Sequence, residues 1–230
     1  MTMHRLRLFD WGPSPFCMKI RAILDYKGLE YERVMVLGRP MIELVRRGGI
    51  GKVPALDIDG ELVCDSTDIA HAIEQRFPTP PILPREPDRR ALCHVLEDWA
   101  DESVYYVNLY YQWIDPRGAP MVARAFERFI VGRAVLPLYR RMVTRQIRGQ
   151  GTGRKPAAHV RRDLDRHLDA FDDLLAARDF LLGDGPFLCD FSAAAQLHYL
   201  SRTPVGGEAL ATRPRIASYR ERMRTFRRER

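Results

Sequence analysis

The chain has 230 residues, 46% hydrophobic and 29% charged, with a net charge of +7. That composition excludes a disordered or low-complexity chain, and the length is enough to bury a core without disulfide or metal staples. Four scattered cysteines, Cys17, Cys64, Cys93 and Cys189, exclude a disulfide framework and a paired-cysteine zinc site. No apolar run reaches the ~18 residues of a membrane span. The first residues, MTMHRLRLFDWG, lack the apolar stretch of a secretion signal, so a soluble, reduced, cytoplasmic protein is expected. The charge is local: residues 1–77 are neutral, 78–212 carry +1, and 213–230, with eight Arg against two Glu, carry +6. Such a tail suits nucleic acid or an acidic partner, but it lacks the aromatic interleaving of a base-stacking platform. A solvated helix end is the expectation, with no nucleic-acid partner.

Leu6 and Leu8 alternate with polar residues as a strand, and Trp11-Gly12-Pro13-Ser14-Pro15 is a turn cluster. From Pro15 to Lys27, Ile20, Ile23 and Leu24 fall at helical spacing and Gly28 is a stop. Tyr31 to Leu37 reads as a second strand and residues 39–47 as a short helix closed by Gly48 and Gly49. Ala55–Ile58 and Glu61–Cys64 read as strands joined by Asp59-Gly60, the strongest short hairpin signal. Ile69, Ala72, Ile73 and Phe77 resume the helical period. The order is βαβαββα, a small α/β unit over residues 1–78. Residues 79–88 belong to a segment with five prolines in PTPPILPREPD (78–88), a stiff linker. From 89 to 230 the chain reads as all-helical. One stripe runs from Leu92 through Trp99, Tyr106 and Tyr110 to Trp113. A second helix starts near Pro120, with Pro137 to kink or end it; others run over 160–175, 191–200 and 214–226.

Three short motifs carry chemistry, and each has a bland reading. Ser14-Pro15-Phe16-Cys17 is a helix cap, or a place where N–H groups and the helix dipole hold an anion. Cys17 sits in the first turn, where a thiol pKa falls, but with no cysteine at position 14 it reads as a small buried hydrophobe. Lys52-Val53-Pro54-Ala55-Leu56 puts a proline at a strand start. A cis bond there would turn the Val53 backbone outward to pair with an extended peptide, although trans is commoner. In Asp65-Ser66, Ser66 caps a helix whose N–H groups hold a carboxylate, and Asp65 accepts from an ammonium group. The six histidines show no metal-ligand spacing, and no metal is expected; His71 and His94 sit among apolar helix positions.

In this order and spacing the motifs resemble the cytosolic glutathione transferase family over nearly the whole chain. Leu96-Glu97-Asp98-Trp99-Ala100-Asp101-Glu102 and Phe180-Leu181-Leu182-Gly183-Asp184 leading to Asp190-Phe191 support the likeness. The resemblance implies a thioredoxin-like N-terminal domain, an all-helical C-terminal domain and a cytoplasmic homodimer active in detoxification. Ser14 falls where serine-type members place their catalytic hydroxyl and others a cysteine. Val53 and Pro54 match the residue that pairs with the cysteinyl backbone of glutathione and the cis-proline after it. Asp65 and Ser66 match the pair that holds the γ-glutamyl end, where Glu is commoner at the first position. Lys52, with Arg39 as a second candidate, meets the glycine carboxylate. Glutathione is then the co-substrate and an apolar electrophilic small molecule the partner, with isomerase, lyase and dehalogenase variants open. Trp11, Tyr106, Tyr110 and Trp113 are the expected electrophile site, the last three sharing one helix face while Tyr105 and Tyr111 face elsewhere. The alternatives are a glutathione-dependent thiol transferase or reductase using Cys17, and a non-catalytic binding module of the same fold. One departure stands out: the family's Ser or Thr three residues before Asp190 is Phe187 here, so that helix is capped otherwise.

Overall fold

The computed structural model describes residues 4–49, 51–127, 132–183 and 185–226. Asp184 and the tail residues Arg227, Arg228 and Arg230, singled out in the sequence, lie outside the described residues. Strand β1 (Leu6–Asp10) leads to α1 (Pro15–Tyr26), β2 (Glu32–Met35), α2 (Arg39–Arg46), β3 (Ala55–Ile58), β4 (Glu61–Cys64) and α3 (Ser66–Arg76). The strands form one sheet in the order β2-β1-β3-β4. β1 runs parallel to β2, since α1 returns the chain across the sheet, and antiparallel to β3, where Leu8 lies opposite Leu56. The β3–β4 hairpin turns at Asp59 and Gly60, both with positive φ, 54° and 97°. Buried Asp57 steadies that turn by accepting from the Gly60 N–H at 2.7 Å and from Arg47 at 2.6 Å.

The period of two divides the sheet's faces. Leu6, Leu8, Leu56 and Ile58 join Ile20, Ile23 and Leu24 of α1 and Ile69 and Ile73 of α3 in the main core. Phe9, Val34, Val36 and Ala55 pack Leu44 of α2 on the other face. Each such Leu, Ile, Val or Phe side chain contributes ~1.5–3 kcal/mol on burial.

After an irregular proline-rich segment come α4 (Pro87–Asp98), a π-helical turn (Trp99–Val104) and α5 (Tyr105–Trp113). These are followed by α6 (Ala119–Glu127), α7 (Gly132–Gln150), α8 (Ala157–Leu174), α9 (Leu188–Ser201), α10 (Pro204–Ala211) and α11 (Pro214–Arg224). The stripe expected as one helix is thus interrupted by the π turn. Along the helix expected from Pro120 the described helical residues are those of α6 and α7, and Pro137 lies inside α7 rather than ending it. Helix α10 escapes a reading by propensity because it contains two adjacent glycines, which weaken helices. Gly206 is required there, since a Cβ would lie 2.2 Å from the Leu200 carbonyl oxygen.

Helix α9 is apolar all round and accordingly buried, packed against α1, α4, α10 and α11. Its Phe187 N-cap offers no side-chain acceptor. Asp190 takes over, accepting from the Phe187 N–H and the Leu181 N–H, both at 2.9 Å, and from the Tyr219 hydroxyl at 3.1 Å. The basic tail is not simply solvated. Arg213 pairs with Asp165 and Asp169 and Arg215 with Asp172 on α8, while Ile216, Tyr219 and Met223 face the core.

Candidate active site

Proline at the first position of α1 has no N–H where none is needed, and Ser14 caps the helix with extended φ −70° and ψ 126°. Its Oγ accepts from the Cys17 N–H at 3.3 Å, and its own N–H bonds the Trp11 carbonyl at 2.9 Å. The half-buried hydroxyl therefore keeps its hydrogen for another acceptor, beside the positive end of the α1 dipole. Asp10, only 1% exposed, fixes the loop ahead of it through ion pairs with Arg21 and with Arg33 at 2.6 Å. Arg21 also donates to the Gly12 carbonyl at 3.2 Å.

Cys17 is fully buried. Burial, with the Asp10 charge behind it, pushes its thiol up to about 12, against the pull of the Trp11 N–H on its sulfur at 3.4 Å. A thiolate at this position is thus strongly disfavoured at neutral pH.

The second helix start lies at α3. The Val53–Pro54 bond is cis, and among the described residues no hydrogen bond uses the Val53 backbone. Asp65, not Ser66, is the N-cap: its Oδ1 accepts from the Thr67 N–H at 2.9 Å, and Ser66 is the first helical residue, buried. The physical reason is backbone geometry, since the cap residue is the non-helical one and Asp65 has φ 74° and ψ 134°. A non-glycine residue held there costs ~1–3 kcal/mol, and such strain gathers at functional sites. Lys52 and Arg39 are exposed.

Lys19 and Thr67, which the sequence reading did not single out, join these two starts through the acidic run Glu97–Glu102 that it quoted without a role. Lys19, wholly buried on α1, donates to Glu97 and, at 2.8 Å, to Asp101. Thr67 on α3 donates to the same Glu97 oxygen at 2.5 Å. Glu102, on the same π turn as Asp101, has its carboxyl raised by burial and by Asp98 and Asp101, and it feels Lys52 and Asp65. The signal in the sequence was a lysine on an apolar helix face and an acidic run far downstream.

The aromatic stripe is divided. Tyr110 is buried in the main core, while Tyr106 and Trp113 lean on a cluster with Val122, Val143 and Ile147 of α6 and α7. Tyr106 is half-buried, its hydroxyl accepting from the Gln146 amide of α7 at 3.3 Å, while Trp113 is buried. Tyr105, expected to face elsewhere, is the ring that meets Phe16 edge-on at 4.8 Å, two residues from Ser14. Trp11 is half-buried in the loop before Ser14. Among the described residues no cluster of His, Cys, Asp or Glu is suited to hold a metal ion, and no helix is long and apolar enough to cross a membrane.

Residues 8–81 match the glutathione S-transferase N-terminal domain and residues 154–222 the glutathione S-transferase C-terminal domain. The chain is similar to the isoprene-epoxide glutathione S-transferase of Rhodococcus sp. strain AD45, 25% identical over 93% of this chain and 94% of that one. It is likewise similar to the maleylacetoacetate isomerase of Pseudomonas aeruginosa, 26% identical over 92% of this chain and 87% of that one. Among solved structures, the beta-etherase LigF of Sphingobium sp. strain SYK-6 superposes with a TM-score of 0.68 at 25% identity, covering 96% of this chain and 95% of that one. The fold is accordingly thioredoxin-like in its first part and helical in its second.

Proposed function

The chain belongs to the glutathione S-transferase family, and on that premise we propose that Ser14 activates the glutathione thiol for attack on an apolar electrophile. The observation that carries this reading is the contrast within one helical turn. Ser14 offers a half-buried hydroxyl with an uncommitted hydrogen at the α1 N-terminus. Cys17, the rival nucleophile, is sealed and its thiol pushed up to about 12. That contrast disfavours thiol–disulfide exchange through Cys17. A scaffold without catalysis needs the Ser14 oxygen as a cap but not its uncommitted hydrogen.

In this reading the Val53 backbone pairs with the cysteinyl unit, with Pro54 after it. The Asp65 carboxylate takes the γ-glutamyl ammonium, and the α3 N–H groups behind Ser66 take its carboxylate. Lys52 takes the glycine end. A free thiol has a pKa of ~8.5, and lowering it by ~2 units needs about 2.7 kcal/mol. One hydroxyl donated to a thiolate and one helix terminus together supply that. The electrophile lies over the Ser14 loop against Trp11, Phe16 and Tyr105. Holding both reactants in one cleft adds the gain of proximity. The relatives' names, an epoxide transferase, an isomerase and an etherase, suit a shared thiolate with different electrophiles. A cytoplasmic homodimer completes the reading, and Leu92 and Val95, exposed on α4, suit a subunit contact.

The test follows thiolate absorbance through a pH titration of glutathione bound to the wild type, Ser14→Ala and Cys17→Ala. Wild type and Cys17→Ala are expected to titrate near ~6.5, and Ser14→Ala at least about one unit higher. Glutathione that titrates on the wild type as it does free in solution overturns the proposal.

A further inference from the structure

Phe16, two residues after Ser14, meets Tyr105 edge-on at 4.8 Å, and both rings are half-buried. Glu102 stands three residues before Tyr105, one turn earlier on the same helical run, so its carboxylate falls beside that ring pair. The Tyr105 hydroxyl feels this carboxylate together with the phenols of Tyr199, Tyr139 and Tyr106. On its other side Glu102 feels Asp65 and Lys52, the groups assigned above to the two ends of glutathione. The bond from Thr67 to Glu97 at 2.5 Å, just ahead of the π turn, fixes the α3 start against this stretch of chain. Glu102 thus stands where the proposed glutathione site and the electrophile cleft meet.

The charges around it do not offset it. Glu102 is exposed, and among the described residues no ion pair takes it up. Arg21 and Arg33, the cations of the Ser14 loop, are both committed to Asp10. Lys19 is buried between Glu97 and Asp101. Lys52 is taken, in the proposed reading, by the glycine end of glutathione. Asp98, exposed one turn before Glu102, adds to the negative field. A carboxylate carried in on the electrophile would face Glu102 and the glutathione thiolate with none of these cations left to receive it. Like charges set against each other turn a ligand away more effectively than missing contacts do.

We propose that Glu102 is a specificity-determining residue, holding the cleft to uncharged or cationic electrophiles and turning away those that bear a carboxylate. The inference rests on the reading in which Ser14 activates glutathione.

The probes are 4-chloro-3,5-dinitrobenzamide and 4-chloro-3,5-dinitrobenzoate, which differ by one charge. In each, the glutathione sulfur bonds the ring carbon and chloride leaves with the electron pair of the broken C–Cl bond. The readout is the ratio of kcat/KM for the amide to that for the benzoate, each divided by its uncatalysed rate with glutathione. The full-length wild type is expected to favour the amide about tenfold, and Glu102→Gln to cut that preference about fivefold. Glu102→Lys should cut it further, and ~1 M salt should cut it in the wild type, since charge at a rim is screened. Glu86→Gln, the same change of charge at the exposed start of α4, should keep the wild-type ratio. Because the ratio is taken within one variant, a partial loss of folded protein cancels from it. No preference for the amide in the wild type, or one that Glu102→Gln and Glu102→Lys leave unchanged or Glu86→Gln lowers equally, overturns the inference while the Ser14 reading stands. Turnover of neither probe also overturns it, and the thiolate titration then tells whether the Ser14 reading falls with it.

Discussion

Lys19 on α1 donates to Asp101 on the π-helical turn at 2.8 Å, and no part of the lysine side chain reaches solvent. Glu97 shares the same ammonium and accepts from Thr67 at the start of α3. Two acids around one lysine hold the ammonium charged: its pKa lies above the ordinary lysine value, the pull of Asp101 and Glu97 outweighing burial. The network thereby ties the helix that starts at Ser14 to the helix capped by Asp65. Lys19→Met leaves two carboxylates buried without their cation, and a loss of ~3–5 kcal/mol in unfolding free energy is expected by urea denaturation. A loss below ~1 kcal/mol would mean that water reaches these carboxylates.

Replacing Ser14 by Ala removes one donor to a developing thiolate, worth ~1.5–3 kcal/mol. A fall of about 10- to 100-fold in turnover with a model electrophile is expected at pH 6.5, with a smaller change in the KM for glutathione. Cys17→Ala should leave turnover within about threefold, because the thiol is fully buried and pushed up to about 12. Steady-state kinetics of the pair decides between hydroxyl and thiol.

Asp190 gives a pH signature of the fold. Burial raises its carboxyl to about 6 despite three hydrogen bonds that favour the anion. At pH 5 the native state holds that proton and the unfolded chain, titrating near 3.8, does not. Unfolding then releases a proton, so this group adds stability as pH falls from about 6 toward 3.8 and withdraws it as pH rises again. The unfolding free energy of the wild type minus that of Asp190→Asn should rise by up to ~1.4 kcal/mol per pH unit on acidification through that window. A flat difference would show that the carboxyl is not perturbed.

The tail acts as an ionic seam. Arg213 reaches Asp169 at 2.7 Å and Asp165 at 3.4 Å, and Arg215 reaches Asp172 at 2.7 Å. Arg213 itself is mostly covered, but the nearer carboxylate, Asp169, has 63% of its side chain exposed, so Arg213→Gln is expected to cost about 1 kcal/mol. Raising salt to ~1 M, where the screening length is about 3 Å, should erase most of that difference in a thermal melt. A cost that salt leaves unchanged would instead assign the effect to the Arg213 bond with the Ala209 carbonyl at 2.7 Å.

Local features were legible in the chain alone. Ser14-Pro15 as a helix start, Asp59-Gly60 as a hairpin, the strand boundaries of β3 and β4 and the helical period beyond the prolines depend on residues within a turn of one another. Such signals survive without the rest of the molecule. The ordered spacing of those motifs was also enough to point to the family. Tertiary structure alone decided the rest. Whether Ser14 or Cys17 meets solvent depends on what packs over α1, and which tyrosine meets Phe16 depends on where α6 and α7 lie. Lys19 finds its acids 78 and 82 residues away, and the basic tail finds its own on α8, more than 40 residues back. Contacts of that range are set by the shape of the packed core, which no window of the chain encodes.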